Sequence, residues 1–394
     1  MVFEVEGPVL VLLFILFIGL IVPELAKKLK LPYITVLILL GAILGPNGFD
    51  YVQHNSIVDF FGFLGAAFLL LMAGLEAKLS QLQNLRKKIY VMSALNGLIP
   101  FAVGVAITRF FGYSWISSLL VGIVFFSSSF AIIIPILKSA KLFKKQIGQT
   151  IASAVILEDI ASLLLLAVVL QTVAPITQFP LPIYFAILLI SVVIMKVFIP
   201  GFAKYLFSTR WKEQDEQESQ LRFVIVLLMA VLFYFSLLGV HPISAAFLVG
   251  ILLADVVTSN NLYNKLHTLA YGLFVPVFFF VVGMEMDLTI FTYIDFQEVI
   301  VFCLVIGLIV SKFLSGYFAS RWDKFSKKNS LIFGIASTTQ LTTTLAVTYA
   351  ASKLGLLDTT LVTGIVLISV ITTVLSPWIL SIIVQKKKVS PVLP

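Results

Sequence analysis

The sequence predicts an all-α polytopic membrane protein of about thirteen transmembrane helices, built as inverted repeats with two crossing discontinuous helices. Three observations carry that expectation. Apolar segments recur along nearly all of the 394 residues, 60% of which are hydrophobic, where a soluble domain has about half. Basic residues gather in alternate loops. Two glycine-bearing motifs recur at one common offset.

The apolar runs fall at 7–23, 31–46, 57–77, 89–110, 114–137, 147–171, 182–206, 221–238, 241–256, 267–286, 297–319, 328–351 and 358–384. A split at Gly239 separates the eighth from the ninth. The first run follows Glu4 and Glu6, with no basic region before it and no small-residue cleavage site. It therefore reads as a retained helix and not as a signal peptide.

With the N-terminus outside, Lys27, Lys28, Lys30, Arg86 to Lys88, Lys138 to Lys145, Arg210, Lys212 and Arg222 lie on the cytoplasmic side. So do the Arg321 to Lys328 cluster and Lys386 to Lys388, which makes the C-terminus cytoplasmic. Only Arg109 and Lys353 stay outside. This asymmetry orients a multi-pass protein in a cell membrane and accounts for the net charge of +8 without nucleic acid as a partner. The chain has no Walker-type glycine loop and no nucleotide-binding domain, which excludes transport driven by its own ATP hydrolysis. Cys303 is the single cysteine, so a disulfide framework and a thiolate metal cluster are excluded as well.

The chain reads as one transporter domain, 1–394. "LILLGAILG" (Leu37 to Gly45) is echoed by "AFLVGILLA" (Ala246 to Ala254), and "LMAGLEAKL" (Leu71 to Leu79) by "VVGMEMDL" (Val281 to Leu288). Gly41 aligns with Gly250 and Gly74 with Gly283, both 209 residues apart. Residues 1–171 then form a first repeat and 221–388 a second, joined by the helix and cytoplasmic loop of 172–220. Equivalent runs stand seven places apart along the chain, and this odd offset inverts one repeat against the other, which suits alternating access.

The fifth and twelfth runs look interrupted. "GIVFFSSSFAIIIPIL" places three serines before Pro135, and "GIASTTQLTTTLAVTYA" places Thr338, Thr339, Gln340 and Thr342 to Thr344 at the matching depth. Unwound backbone survives in a bilayer only inside protein or beside a wet cavity. The alternative is that these hydroxyls only pack helices together.

Four ionisable side chains lie well inside the runs: Glu158, Asp159, Lys196 and Lys312. Each costs about 2.5–3.5 kcal/mol at a helix centre on insertion scales. Lys196 is two turns from the cytoplasmic end, and snorkelling explains it. Glu158 and Asp159 are adjacent, so at ~100° per residue they cannot share one direction. A carboxylate in a partly dry cavity near a lysine is held between its two protonation states and can take a proton or a monovalent cation in turn. Asp159 is the expected shared site. Glu158 is a second titrating ligand or the partner of Lys312. The competing account is a static buried ion triad. Glu76 and Glu285 read as interfacial charges, and the three histidines have no metal-ligand spacing.

In order and spacing, "LPYITVLILLGAILGP", "FLLLMAGLEAKL", the serine-rich break, Glu158–Asp159, "FFFVVGMEMDL" and the lysine of "SKFLSG" resemble the monovalent cation:proton antiporter superfamily. The similarity is to the transmembrane domain of the branch that holds bacterial Na⁺/H⁺ exchangers and K⁺ efflux proteins. It implies a Na⁺/H⁺ antiporter-like fold and a prokaryotic plasma membrane. It also implies a homodimer in membrane lipid whose moving core is runs 4–6 and 11–13. Ion binding is implied at Asp159, with oxygens of Ser128, Ser129, Thr338 and Thr339 nearby. No cofactor is implied beyond the transported cation and H⁺. The family's electrogenic members carry Asp-Asp with Lys, its electroneutral members Asn-Asp with Arg, and its K⁺ efflux members Gln-Asp. Glu158–Asp159 with Lys312 departs from all three and sits nearest the electrogenic class by charge. The expected function is electrogenic exchange of a monovalent cation, Na⁺ before K⁺, for protons, and not an enzymatic one. The alternatives are a K⁺/H⁺ efflux antiporter, an organic-anion carrier of related fold, and a channel.

Overall fold

A computed structural model of the chain describes residues 3–29, 31–76, 87–129, 132–133, 137, 141–143, 145–173, 180–210, 218–238, 242–257, 259–288 and 299–384. Within them the protein is helical: α1 (Phe3–Leu29), α2 (Tyr33–Leu44), α3 (Ser56–Glu76), α4 (Lys87–Phe110), α5 (Trp115–Phe126), α6 (Gln146–Val173), α7 (Leu181–Tyr205), α8 (Ser219–Leu237), α9 (Pro242–Leu253), α10 (Asn260–Leu269), α11 (Val275–Met284), α12 (Val299–Trp322), α13 (Lys327–Ser337), α14 (Thr342–Lys353) and α15 (Thr359–Val384). Single π turns extend α7 through Leu206–Arg210 and join α10 to α11 through Ala270–Phe274.

Local chemistry sets several boundaries. Ser114 caps α5 by accepting from Ser117 N–H at 3.1 Å, and Ser326 caps α13 by accepting from Asn329 N–H at 3.3 Å. Pro32 precedes α2, and extended Gly45 ends it. Among the described residues, nine helices are long and apolar enough to cross a membrane, and three shorter apolar helices stand beside them: Tyr33–Leu44, Trp115–Phe126 and Ser244–Leu253. The count of thirteen crossings is therefore not reproduced as such. A 12-residue helix rises only about 18 Å, short of a ~30 Å hydrocarbon core. The split expected at Gly239 falls between α8 and α9, and Gly239 itself lies outside the described residues, as do Pro135, His241 and Lys386 to Lys388.

The chain forms two compact units: Met1–Gly62 with Leu85–Leu166 and Pro276–Pro394, and Phe63–Asn84 with Ala167–Val275. In the first, α4 packs on α5 and α12, while α12 also meets α13 and α15. In the second, α9 packs on α7 and α8. The matched glycines are where helices come closest. In the first unit a Cβ on Gly41 would lie 2.0 Å from the Phe280 carbonyl oxygen, and one on Gly283 would lie 2.1 Å from that of Ile38. In the second, a Cβ on Gly74 would lie 2.3 Å from the Phe247 oxygen, and one on Gly250 would lie 2.2 Å from that of Leu71. Each contact in one unit has its counterpart in the other at the 209-residue offset.

Two helices are discontinuous. Regular structure stops at Phe126, and Ser127 continues in extended conformation. In the other, α13 ends at Ser337 and α14 restarts at Thr342 after Leu341, whose φ is −155° and ψ −76°. The interruptions cross: Ser129 N–H donates to the Thr339 carbonyl at 2.8 Å. Of the membrane-length window spanning α13 and α14, 94% is buried, so the irregular backbone is enclosed by protein.

Candidate functional site at the helix crossing

The site is built from residues of α4, α5, α6, α12 and the crossing, and each of those residues lies in the first unit. Glu158 and Asp159 lie mid-way along α6, and Lys312 lies on α12. All three side chains are at most 1% exposed. Removed from water, such charges persist only when paired or hydrogen-bonded.

Glu158 is fully engaged. Its Oε1 accepts from Asn96 Nδ2 at 2.7 Å, and its Oε2 accepts from Ser128 Oγ at 2.7 Å and from Lys312 Nζ at 2.9 Å. Lys312 Nζ donates also to the Phe126 carbonyl at 2.7 Å and to Ser128 Oγ at 3.1 Å. An ammonium has three protons, and here it finds three acceptors. Phe126 can offer its carbonyl because α5 ends there. The helix break thus supplies an acceptor for the buried lysine. Asn96 is oriented in turn by Ser315 Oγ, which donates to its Oδ1 at 3.0 Å.

Asp159 has the opposite environment. Its Oδ1 is buried with no hydrogen-bond partner, and so are the hydroxyls of Ser129, Thr342 and Thr343. Thr343 is the hydroxyl facing its carboxylate. Ser129 and Thr342 belong to the crossing itself. A buried carboxylate oxygen that no donor reaches suits a proton or a small oxygen-coordinated cation as substrate. Among the described residues no three His, Cys, Asp or Glu side chains cluster as metal ligands.

The residues expected from the sequence divide into three groups. Glu158, Lys312 and Ser128 form one hydrogen-bonded cluster. Asp159 stands beside it, with Ser129 at the crossing. The hydroxyls of Thr338 and Thr339 turn back to cap α13, donating to Ile335 and Ala336 carbonyls at 2.8 Å each, and Thr338 also meets Ser376 Oγ at 2.9 Å. The Thr339 carbonyl, not its hydroxyl, joins the crossing. Asn96 was missed by sequence reasoning, although an asparagine within the apolar run 89–110 was the available signal. Gln340 belongs to the polar stretch of the twelfth run. It clamps the crossing, donating from Nε2 to the Ser127 carbonyl at 2.7 Å, while its N–H donates to Thr372 Oγ1 at 3.1 Å.

Lys196 is exposed on α7. Glu76 accepts from Tyr263 OH at 2.9 Å. Glu285 joins a partly exposed cluster in which Lys353 Nζ lies 3.3 Å from Glu285 Oε1 and 2.9 Å from Asp59 Oδ1, with His54 Nδ1 2.9 Å from the same Asp59 oxygen.

Residues 12–386 match the family model described as "Sodium/hydrogen exchanger, transmembrane". The chain belongs to the sodium/hydrogen exchanger family. It is 30% identical over 367 residues to "Probable Na(+)/H(+) antiporter 3" of Methanocaldococcus jannaschii, covering 92% of this chain and 93% of that relative. It is 25% identical over 367 residues to a "Na(+)/H(+) antiporter" of Enterococcus hirae, covering 92% and 94%. In fold it is similar to the sodium proton antiporter MjNhaP1 of Methanocaldococcus jannaschii at pH 8, with a TM-score of 0.74, 19% identity and coverage of 97% of this chain and 99% of that one. Membership in the exchanger family makes the chain a multi-pass transporter of the plasma membrane and not an enzyme. Its activity is secondary active Na⁺/H⁺ antiport, with the monovalent cation and H⁺ as the transported species.

Proposed function

We propose that Asp159 is the carboxylate that the cation and the proton occupy in turn, while Glu158 anchors Lys312. One observation carries this reading: two adjacent buried carboxylates, one saturated by three donors and the other with an oxygen that no donor reaches. A buried ionised carboxylate without a partner is costly, so Asp159 holds either H⁺ or a cation whenever it is sealed from water. Exchange follows from that exclusion. The Thr343 hydroxyl stands against this carboxylate, and the unpartnered hydroxyls of Ser129 and Thr342 belong to the same crossing.

Charge accounting sets the stoichiometry. If the Glu158–Lys312 pair stayed intact, one proton would leave Asp159 for each cation bound. If cation binding parts the pair and Lys312 gives up its own proton, two protons leave and exchange is electrogenic. We favour the second course, because a cation brought beside Asp159 repels the Lys312 ammonium and supplies in its place the counter-charge that Glu158 needs. Na⁺ is the preferred cation over K⁺, and the branch of exchangers with Asp-Asp and Lys is the nearest by charge. The two-fold glycine contacts and the Ser128–Ser337 bond, 209 residues apart, support inverted repeats of 1–171 and 221–388. Thirteen crossings, an outside N-terminus and a prokaryotic plasma membrane belong to the same reading. A homodimer in membrane lipid is supported by α7, whose membrane-length window is only 17% buried.

Reconstitution into sealed vesicles with an imposed Na⁺ gradient tests the assignment. Proton movement opposite to the cation is expected, and it is abolished in Asp159→Asn with the folded fraction unchanged. Normal exchange in that variant removes Asp159 from the mechanism.

A further inference from the structure

The first unit also contains a cavity of about 590 Å³ at the end where α6 and α13 begin. Among the described residues its polar lining is Lys145, Gln146, Lys324, Ser326, Lys328 and Asn329, with no acidic side chain among them. The positive-inside rule asks only that lysines lie on one side of the membrane. It does not ask three of them to converge on one concavity.

The backbone adds to the same field. Ser326 meets the N–H of Asn329 through its hydroxyl and that of Ser330 through its carbonyl, which leaves the N–H groups of Lys327 and Lys328 at the start of α13. At α6 the Lys145 carbonyl takes the N–H of Gln149, so the N–H groups of Gln146, Ile147 and Gly148 precede the first intrahelical bond of that helix. Two helix N-termini therefore face the lysine-lined space. Gly148 makes this possible, because a Cβ there would lie 2.2 Å from the Leu142 carbonyl and push the preceding loop off the first turn of α6.

Lys324 is the most telling residue. It follows α12 with φ of 64°, its N–H donating to the Arg321 carbonyl at 3.0 Å while the next N–H, of Phe325, donates to that of Ser320 at 3.2 Å. This left-handed helix-ending position favours glycine. A lysine sits there instead, and it lines the cavity. The neighbouring Asp323 does not neutralise the cavity; its carboxylate is 2.8 Å from Lys88.

We propose that this cavity binds a phosphate group, carried by an anionic phospholipid headgroup or by free phosphate. Bound there, it ties together the first turns of α6, which carries Asp159, and of α13, which leads into the crossing.

The test is thermal unfolding of the full chain in neutral detergent at constant ionic strength. Inorganic phosphate is compared with chloride, and short-chain phosphatidylglycerol with phosphatidylcholine. A saturable rise in Tm with a phosphate-bearing ligand is expected, with apparent affinity at least about tenfold weaker in Lys324→Gly and in Lys328→Gln. Lys324→Gly relieves the left-handed backbone, so its Tm without ligand is expected to hold or rise, which separates lost binding from lost fold. A response to the lipid alone identifies a headgroup as the source, and a response to both admits free phosphate. No response to either, or a response undiminished in both variants, overturns the proposal.

Discussion

Glu158 and Asp159 are neighbours in sequence, yet their surroundings separate them. Removing one partner of a buried ion pair leaves the other uncompensated, typically at about 3–5 kcal/mol. Glu158→Gln is therefore expected to lower stability in a chemical or thermal unfolding assay, and Glu158→Gln combined with Lys312→Met to recover much of the loss. A double variant no more stable than the single one would contradict the pairing. Asn96→Ala removes one hydrogen bond to a charged group, for which about 1.5–3 kcal/mol is expected in the same assay. The sequence displayed the charges, because an ionisable residue in an apolar run is conspicuous. It could not say which carboxylate met Lys312, since that depends on the rotation of α6 against α12 and on where α5 stops. Asn96 escaped notice because an amide carries no net charge, and only proximity to Glu158 gives it importance.

At the scale of helices, the close approaches at Gly41, Gly74, Gly250 and Gly283 set how α2 meets α11 and how α3 meets α9. An added Cβ would stand 2.0–2.3 Å from a carbonyl oxygen of the facing helix, so the backbones must separate. Overpacking typically costs about 1–3 kcal/mol, and here no flexible side chain can yield. Each Gly→Ala variant is expected to lower Tm, with Gly41→Ala and Gly250→Ala, the symmetry mates, affected alike. Unchanged Tm in either would mean that the helices tolerate a wider spacing. The glycine motifs were legible because a repeated pattern betrays a repeated environment. The helix breaks were legible as excess hydroxyls. Their exact course was not, since Thr338 and Thr339 offer both a hydroxyl and a carbonyl, and tertiary contact decides which faces the crossing.

For the whole molecule, the distribution of lysines predicts its orientation. A cysteine placed at Gly112 in a Cys303→Ala background is expected to react with an impermeant maleimide added outside intact cells, and one placed at Lys145 only after lysis. The reverse pattern would invert the topology. Helix number was less legible than helix location, because apolar runs mark where chain enters the bilayer but not whether a short helix completes the crossing. The central claim is a competition at one carboxylate, and calorimetric titration of the purified protein with Na⁺ across a pH series tests it most directly. Proton release on cation binding is expected, with apparent Kd rising about tenfold per unit of pH lowered for each proton displaced, hence toward about a hundredfold where Asp159 and Lys312 both give one up, and both effects absent in Asp159→Asn. Na⁺ binding with a Kd independent of pH and no proton released would contradict the account.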